Sequence, residues 1–306
     1  MTKRVRNEQK EQPVPMLEGI EEPAAELRHE WTKTPSGIDC LIHIWSPLQE
    51  SPRGVVVVFH GLGGHGLFPT VRYLAELLAA HHLAVYAMDF AGHGQSHGLR
   101  GYLSSPHDLL QDALHVVQYA EQQSPELPLF FAGNSMGGAV ALSLSLRVKH
   151  VAGLVLLAPM VSLPVSSFQR WVLQRLAAWT PKLGLTKSCL SKAADYQFRD
   201  EDRKEEVLRD PFIYKGRLRA ASAMTCVGLT QMLQETLGDI RAPLLCLLAE
   251  EDYVVDNRGI DELMQEACSV DKTLKEYDAL HGMLCEEEPL RSQIESDIVS
   301  WLSERI

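Results

Sequence analysis

Six short β-rich runs, most of them followed by a helical pattern, constrain the fold of this chain more than any other feature. The middle runs are apolar at nearly every position, as in strands that are buried on both faces. Alternating strands and helices predict an α/β fold with a mostly parallel sheet and helices on both faces. The predicted strands are 54–59, 83–90, 127–134, 153–159, 242–250 and 272–279, and the predicted helices are 69–82, 106–123, 135–148, 257–268 and 289–305.

The alternation breaks between residues 160 and 240. This segment shows no convincing strand but carries helical patterns, including SFQRWVLQRLAAWT at 167–180. It predicts a helical cap inserted over the carboxyl edge of the sheet, where ligands bind in such folds. We therefore expect a core of residues 30–159 and 241–306, a cap of residues 160–240, and a flexible polar segment at residues 1–29.

Composition narrows the classes of function. The chain has 29 basic and 40 acidic residues, a formal net charge of −11, and no basic stripe with interleaved aromatic residues, so no nucleic acid partner is expected. Its first residues lack the apolar region of a secretory signal, and no apolar run reaches the roughly 18 residues that a spanning helix needs. Its six cysteines include no C-x-x-C pair, which favours reduced thiols. These features predict a cytoplasmic protein, and they leave its oligomeric state open.

The segment LFFAGNSMGGAVAL carries the residues with the clearest chemical meaning. Gly133, Ser135 and Gly137 form G-x-S-x-G at the joint between an apolar strand and an alanine-rich helix, where a tight turn exposes a nucleophilic serine. The small neighbours allow the helix to approach the strand closely. The backbone N–H of Met136 then lies at the helix N-terminus, where negative charge on an oxygen is stabilised. The motif predicts a nucleophilic Ser135 with one oxyanion donor beside it.

A serine nucleophile needs a base, and the base needs an acid that orients it. Asp252 lies in the loop after the strand LLCLLAE, and His281 lies just beyond the next strand. The chain order Ser135, Asp252, His281 is that of α/β-hydrolases, so we expect these three residues to form a catalytic triad. Three further carboxylates compete for the acid role, namely Glu250, Glu251 and Asp256, of which Asp256 is the first alternative.

The glycine-rich loop FHGLGGHG follows the first central strand and permits three interpretations. The first is a dinucleotide site, because the loop matches G-x-G-x-x-G and an acid, Asp89, lies at the end of the next predicted strand. The second is a metal site formed from His60, His65, His93 and His97, although their spacing resembles no known site. The third, which we favour, is an oxyanion site in which the N–H of Leu62 joins that of Met136. We accordingly expect no bound metal.

Seven segments resemble the monoacylglycerol lipase and lysophospholipase-like family of α/β-hydrolases over roughly residues 30–305. They are FHGLGGHG, MDFAGHGQSHG, GNSMGGAVAL, LVLLAPM, RDPFIYKGRLR, LLAEEDYVVD and LHGMLCEEEP. The resemblance implies an α/β-hydrolase fold with a cap, the triad named above, an oxyanion hole at Leu62 and Met136, a lipid-like ester substrate and no cofactor. Two positions depart from the family pattern: Asn134 stands where His, Gln or Glu is expected, and Ala249 stands where glycine usually ends the acid strand.

The predicted function is that of a serine ester hydrolase, which releases a fatty acid from monoacylglycerol or a similar single-chain lipid through an acyl-enzyme. The alternatives are a lysophospholipase, a hydroxycinnamoyl-type esterase, and a low-turnover receptor that keeps the triad. The apolar face of 167–180 is expected to roof an acyl tunnel and to touch membrane surfaces transiently, or else to pack on the core. Seven residues are candidates for substrate contact: His60, Gly61, Asn134, Phe168, Trp171, Trp179 and Cys285, the last with a buried core thiol as its alternative.

Overall fold

A computed structural model describes residues 25–187 and 196–306, and the elements named here belong to that part of the chain. The strands are β1 (Ala25–Lys33), β2 (Asp39–Pro47), β3 (Gly54–Phe59), β4 (Leu83–Met88), β5 (Leu129–Asn134), β6 (Val151–Leu157), β7 (Gly184–Lys187), β8 (Arg217–Arg219), β9 (Leu244–Ala249) and β10 (Lys272–Tyr277). The helices are α1 (Pro69–Ala80), α2 (Pro106–Gln123), α3 (Met136–Ser145), α4 (Ser167–Trp179), α5 (Glu201–Arg209), α6 (Ala220–Gln234), α7 (Arg258–Glu266) and α8 (Leu290–Ser303). Short 3-10 helices lie at Leu237–Asp239 and Met283–Cys285.

Eight of these strands form one sheet in the order β1-β2-β4-β3-β5-β6-β9-β10. Six neighbouring strands of this sheet run parallel to one another, namely β4, β3, β5, β6, β9 and β10. Strand β2 is antiparallel to both of its neighbours, β1 and β4. Alternate residues of β3 enter opposite apolar clusters, with Val55 and Val57 on the side of α2 and α3, and Val56 and Val58 on the side of α1 and α8. The predicted α/β-hydrolase fold, with a mostly parallel sheet covered on both faces, is therefore confirmed.

The predicted flexible segment 1–29 is too long. Strand β1 already begins at Ala25, and its backbone pairs with β2 along its whole length, from Ala25 opposite Pro47 to Lys33 opposite Asp39. Because β1 is an edge strand with alternating exposed side chains, its sequence resembles a polar tail. Residues 1–24 lie outside the described part of the chain.

The segment 160–240 also contains strands that its sequence does not suggest. β7 and β8 pair antiparallel, with Gly184 opposite Arg219 and Lys187 opposite Arg217. They have four and three residues respectively and no apolar run, so hydrophobic periodicity does not reveal them. Among the described strands, the two pair only with each other and form a two-stranded sheet separate from the main one.

Helix α6 joins this segment to the sheet domain, since it packs against α4 and also against α2 and α3. Helix α4 has no buried residue. Its first turn is stabilised by a capping box, in which Ser166 and Gln169 exchange side-chain and backbone hydrogen bonds. The loops that follow β3, β5, β9 and β10 meet residues of α4 and α6 around one cavity. Any chemistry at the carboxyl ends of these strands therefore takes place beneath the inserted segment.

Candidate active site

Ser135 occupies the sharp turn between β5 and α3. Its backbone angles are φ 58° and ψ −122°, in a region that residues with side chains rarely adopt. The turn is possible because its glycines have no side chains: a Cβ on Gly137 would lie 1.9 Å from the carbonyl oxygen of Phe59. The Ser135 carbonyl in turn accepts hydrogen bonds from the N–H groups of Gly138 (3.0 Å) and Met160 (2.9 Å). These contacts hold the strained turn and direct the serine side chain into the cavity.

The loops after β9 and β10 bring Asp252 and His281 together. The His281 Nδ1 donates a 2.6 Å hydrogen bond to Asp252 Oδ2, and both side chains are buried. The other carboxylate oxygen accepts the N–H groups of Val254 (2.7 Å) and Val255 (3.0 Å). Because Nδ1 carries the proton in this bond, Nε2 is left as the basic nitrogen. His281 lines the same cavity as Ser135.

The competing carboxylates have other partners. Asp256 accepts hydrogen bonds from the guanidinium of Arg258, the shortest being 2.6 Å, and this pairing lowers the pKa of Asp256. Glu251 pairs with Arg199 at 2.9 Å, and Glu250 is exposed. Of the four candidate acids, Asp252 is the one whose carboxylate contacts the imidazole of His281.

The glycine-rich loop passes close to the serine. A Cβ on Gly61 would lie 3.3 Å from the Cβ of Ser135, so this loop approaches the reacting position by backbone alone. Leu62 and Met136 both line the cavity, and neither backbone N–H donates to an acceptor among residues 25–187 and 196–306. Two unused N–H donors beside a serine are the requirement for stabilising an oxyanion.

Asp89, the acid of the dinucleotide interpretation, has a structural role instead. Its buried carboxylate accepts the backbone N–H groups of Gly66 (2.6 Å) and Gln95 (2.7 Å) and pairs with His43 Nε2 at 3.0 Å. Burial raises the pKa of this group, but the contacts with His43 and the two N–H groups outweigh it and lower the pKa to about 2. A side chain on Gly94 would collide with this carboxylate, at 2.0 Å. Asp89 thus ties two loops together and is not exposed to a ribose.

His60 was a candidate for substrate contact, and the structure contradicts this. The side chain is fully buried, where Nδ1 donates to the Gly61 carbonyl at 2.7 Å and Nε2 accepts the Phe90 N–H at 3.0 Å. Burial lowers the pKa of His60 to about 3, so the ring is neutral. His65 is likewise engaged, with Nε2 2.8 Å from Asp210 Oδ2. Across the described residues, no group of three or more His, Cys, Asp and Glu side chains is arranged to hold a metal ion.

The cavity above Ser135 has a volume of about 270 Å³ and is mostly apolar. Gly61 and Asn134 line it, as the sequence predicts, and Asn134 Nδ2 donates to the Leu157 carbonyl at 3.2 Å. Its apolar side chains come from several elements: Leu62, Phe68, Met136, Met160, Leu163, Val165, Leu173, Leu218, Ala223, Cys226, Val227, Val254 and Val255. The remaining polar ones are Ser135, Gln197, Tyr214 and His281, and no Asp, Glu, Lys or Arg side chain from the described residues lines the cavity.

The aromatic residues of α4 do not line this cavity, contrary to both sequence-based interpretations. Phe168, Trp171 and Trp179 are 72%, 53% and 83% exposed, so they neither roof an acyl tunnel nor pack on the core. Helix α4 contributes Leu173 to the cavity instead. Helical periodicity identifies an apolar stripe, but it does not say whether the stripe faces protein or solvent.

Cys285 also lies outside the cavity lining. The thiol is buried beneath helix α5 in a small apolar cluster, and this burial raises its pKa. The other buried members of the cluster are Phe68, Phe198, Val207 and Ile213. Its proximity to His281 in sequence is misleading, because Cys285 ends the 3-10 helix Met283–Cys285 and its side chain packs in this cluster. The substrate-contact prediction for Cys285 is wrong, and the alternative of a core thiol describes it.

Comparison with known proteins is consistent with this geometry. The chain matches the family described as serine aminopeptidase, S33, over residues 50–288. It is 32% identical over 271 residues to the monoglyceride lipase of Homo sapiens, covering 85% of this chain and 86% of that protein. The monoacylglycerol lipase of Mycolicibacterium smegmatis is 29% identical over 272 residues, covering 87% and 93%. The crystal structure of the Paleococcus ferrophilus monoacylglycerol lipase matches with a TM-score of 0.73 and 26% identity, covering 92% of this chain and 100% of that one.

Proposed function

Because the chain belongs to the serine aminopeptidase S33 family of α/β-hydrolases, we propose that it is a serine ester hydrolase that releases a fatty acid from monoacylglycerol. One observation carries the choice of substrate: the cavity that contains Ser135 and His281 is mostly apolar, and its described lining has no Asp, Glu, Lys or Arg side chain. Such a cavity suits an acyl chain, because apolar surface removed from water stabilises the complex.

The same lining disfavours two other substrate classes. A peptide with a free N-terminus carries an α-ammonium, and a lysophospholipid carries a phosphate. Either charge would have to leave water, which is costly without an opposite charge or several hydrogen bonds to receive it. A glycerol ester has no charge, so we expect the side-chain amides of Gln197 and Asn134 to be sufficient polar partners for its head.

In this proposal Ser135, His281 and Asp252 catalyse acyl transfer in two steps. His281 Nε2 removes the proton from the Ser135 hydroxyl as its oxygen attacks the ester carbonyl, and the N–H groups of Leu62 and Met136 stabilise the resulting oxyanion. His281 then donates the proton to the departing glycerol oxygen, which leaves an acyl-enzyme. Water, deprotonated by the same imidazole, attacks the acyl carbonyl; the acyl–Oγ bond then breaks as the imidazolium returns the proton to the Ser135 oxygen, and the fatty acid is released. Asp252 keeps the proton on Nδ1 and stabilises the imidazolium.

The experiment that tests this proposal compares Ser135→Ala with Ser143→Ala. Ser143 lies in α3, where its hydroxyl donates to the Ala139 carbonyl at 2.8 Å, so it is a buried serine of the same helix. A fluorophosphonate should label the wild type and Ser143→Ala but not Ser135→Ala. Wild type should turn over monooleoylglycerol faster than lysophosphatidylcholine and a hydroxycinnamoyl ester. Labelling of folded Ser135→Ala would refute the nucleophile, and a burst without turnover on every ester would favour the receptor alternative.

We also propose that the exposed aromatic residues of α4 contact membrane surfaces transiently. Phe168 and Trp171 stack with ring centroids 6.2 Å apart, and the Arg175 guanidinium lies 5.7 Å from the Trp171 ring. A basic group beside exposed aromatic rings suits the boundary between lipid headgroups and acyl chains. Because Leu173 of the same helix lines the cavity, a lipid could pass from the surface to the serine by a short path.

Replacing Phe168, Trp171 and Trp179 by Ser should weaken co-sedimentation with phosphatidylcholine vesicles. The matched control is Trp31→Ser on β1, because Trp31 is 55% exposed and Trp171 is 53% exposed. The triple variant should raise KM for long-chain monoacylglycerol in vesicles while leaving hydrolysis of a short soluble ester unchanged. Equal loss with both esters would indicate a damaged cap and would contradict the membrane proposal.

A cytoplasmic location at membrane surfaces is part of the same proposal. Cys40, Cys246, Cys268 and Cys285 are free thiols, which supports a reducing compartment. No helix in the described ranges has the length and apolarity to cross a membrane. Fractionation of cells that express the protein should place it in the cytosol, with a share on membranes that the α4 triple variant reduces.

A further inference from the structure

Arg199 of the inserted segment contacts the two loops that carry Asp252 and His281. Its Nη2 donates to Glu251 Oε2 at 2.9 Å, next to Asp252 in the chain. Its Nη1 donates to the Asp278 carbonyl at 2.7 Å, and Nη2 also donates to the Asp278 carboxylate at 2.7 Å. One guanidinium therefore bridges the end of β9 to the end of β10.

A second set of contacts extends from Arg199 toward the histidine itself. The buried carboxylate of Glu286 lies 3.7 Å from Arg199 Nη1 through Oε2. Its Oε1 accepts the backbone N–H of Leu280 at 2.6 Å, immediately before His281. Burial raises the pKa of Glu286, and the Leu280 N–H and the Arg199 charge act against that rise. The Arg199 guanidinium thus lies beside the carboxylate that holds the histidine loop.

The backbone beside Arg199 holds the other side of the histidine. The Gly282 N–H donates to the Gln197 carbonyl at 2.8 Å. A Cβ on Gly282 would lie 2.6 Å from that carbonyl and 2.5 Å from the Phe198 ring, so the two segments meet with no room for a side chain. His281 therefore lies in a loop that residues 197–199 fasten on both sides.

We propose that Arg199 is a positioning residue that keeps the acid loop and the histidine loop in register, so that the cap sets the geometry of the His281–Asp252 pair. The inference rests on the proposed function, since it assigns catalytic work to that pair. An isolated surface ion pair would contribute little, but the planar Arg199 guanidinium donates to two carboxylates and a carbonyl and lies 3.7 Å from a third carboxylate. A lysine could satisfy only part of this set, because its ammonium is a single point charge.

The test compares Arg199→Met, Arg199→Lys and Asp278→Asn with the control Arg209→Met. Arg209 is an exposed arginine of the same inserted segment, and its ion pair is with Glu205 within α5. With a short soluble ester, Arg199→Met should lower kcat roughly 10- to 100-fold with little change in KM, because misplacement of a base by less than 1 Å is that costly. Arg199→Lys should recover part of the loss, and Arg209→Met should behave as wild type.

A second measurement needs no substrate. The proton in the His281–Asp252 hydrogen bond should give a downfield NMR resonance in wild type, absent in His281→Ala, that shifts or broadens in Arg199→Met and Asp278→Asn. If both resonance and kcat are unchanged while only the melting temperature falls, Arg199 is merely structural and the inference is wrong. If the resonance responds but wild type hydrolyses no ester, the positioning role stands and the proposed function fails.

Discussion

Two buried histidines should make the protein unusually sensitive to mild acid. His60 and His93 are both fully buried, with ring centroids 5.4 Å apart. Burial is the main cause that lowers the pKa of His60 to about 3 and that of His93 to about 4. In the unfolded chain both imidazoles return to an ordinary pKa near 6.5. The folded state therefore keeps both rings neutral at a pH where the unfolded state binds protons.

The sign and size of the effect follow from this difference in proton binding. The contribution of these two histidines to the free energy of unfolding is fully present well above pH 6.5. It is lost as the pH falls below 6.5 toward their folded-state pKa values of about 3 and 4. Between pH 7 and pH 5, each histidine should remove roughly 2 kcal/mol from the free energy of unfolding, or roughly 4 kcal/mol for the pair. That is a large fraction of the roughly 5–15 kcal/mol by which most proteins are stable.

The assay is urea unfolding at pH 7 and pH 5, followed by circular dichroism, for wild type and His93→Leu. Leucine has a similar volume and no titrating group, and it removes a buried Nε2 that has no partner among the described residues. Wild type should lose roughly 4 kcal/mol between the two pH values and the variant roughly 2 kcal/mol. Equal losses in both proteins, or a wild type indifferent to pH, would refute the assignment of acid sensitivity to these rings.

Three further outcomes are expected. Asp252→Asn should lower kcat by roughly 10⁴-fold by favouring the wrong imidazole tautomer, whereas Asp256→Asn should change it little, and steady-state kinetics on one ester will rank the two. Cys285→Ala should lower the melting temperature through a small cavity yet leave kcat unchanged, and a maleimide that inhibits wild type but not this variant would contradict its burial. Gly137→Ala should prevent soluble expression, because its Cβ would lie 1.9 Å from a carbonyl oxygen of β3, while Gly238→Ala, whose Cβ would meet nothing nearer than 3.9 Å, should be tolerated.

The alternation of elements was readable from sequence because it depends on local properties. Apolar runs such as 54–59 and 127–134 are buried on both faces, so their composition marks them as central strands. Proline at the first position of α1 and α2 marks helix starts for an equally local reason. Strands that depend on pairing, such as β1 and β7, are not evident from the sequence, because an edge strand is formed by hydrogen bonds to its neighbour.

The residues of the candidate site also differ in whether local sequence or tertiary structure identifies them. Ser135 was identifiable because a strand, a turn and a helix that are contiguous in the chain create its conformation. Asp252 and His281 were identifiable from chain order, because parallel strands bring their carboxyl ends to one edge. The identity of the acid among four candidates needed the distance of 2.6 Å to the imidazole.

The sequence by itself therefore predicted the broad class of fold and the chain order of the three candidate catalytic residues. Only the tertiary structure decided which way each side chain faces: the aromatic residues of α4 outward, Cys285 into its own cluster, and His60 into the core. It also decided that Arg199 meets Glu251 and Asp278, 52 and 79 residues further along the chain. The physical reason is that periodicity records which residues avoid water, whereas the partner that replaces water is chosen when distant segments pack together.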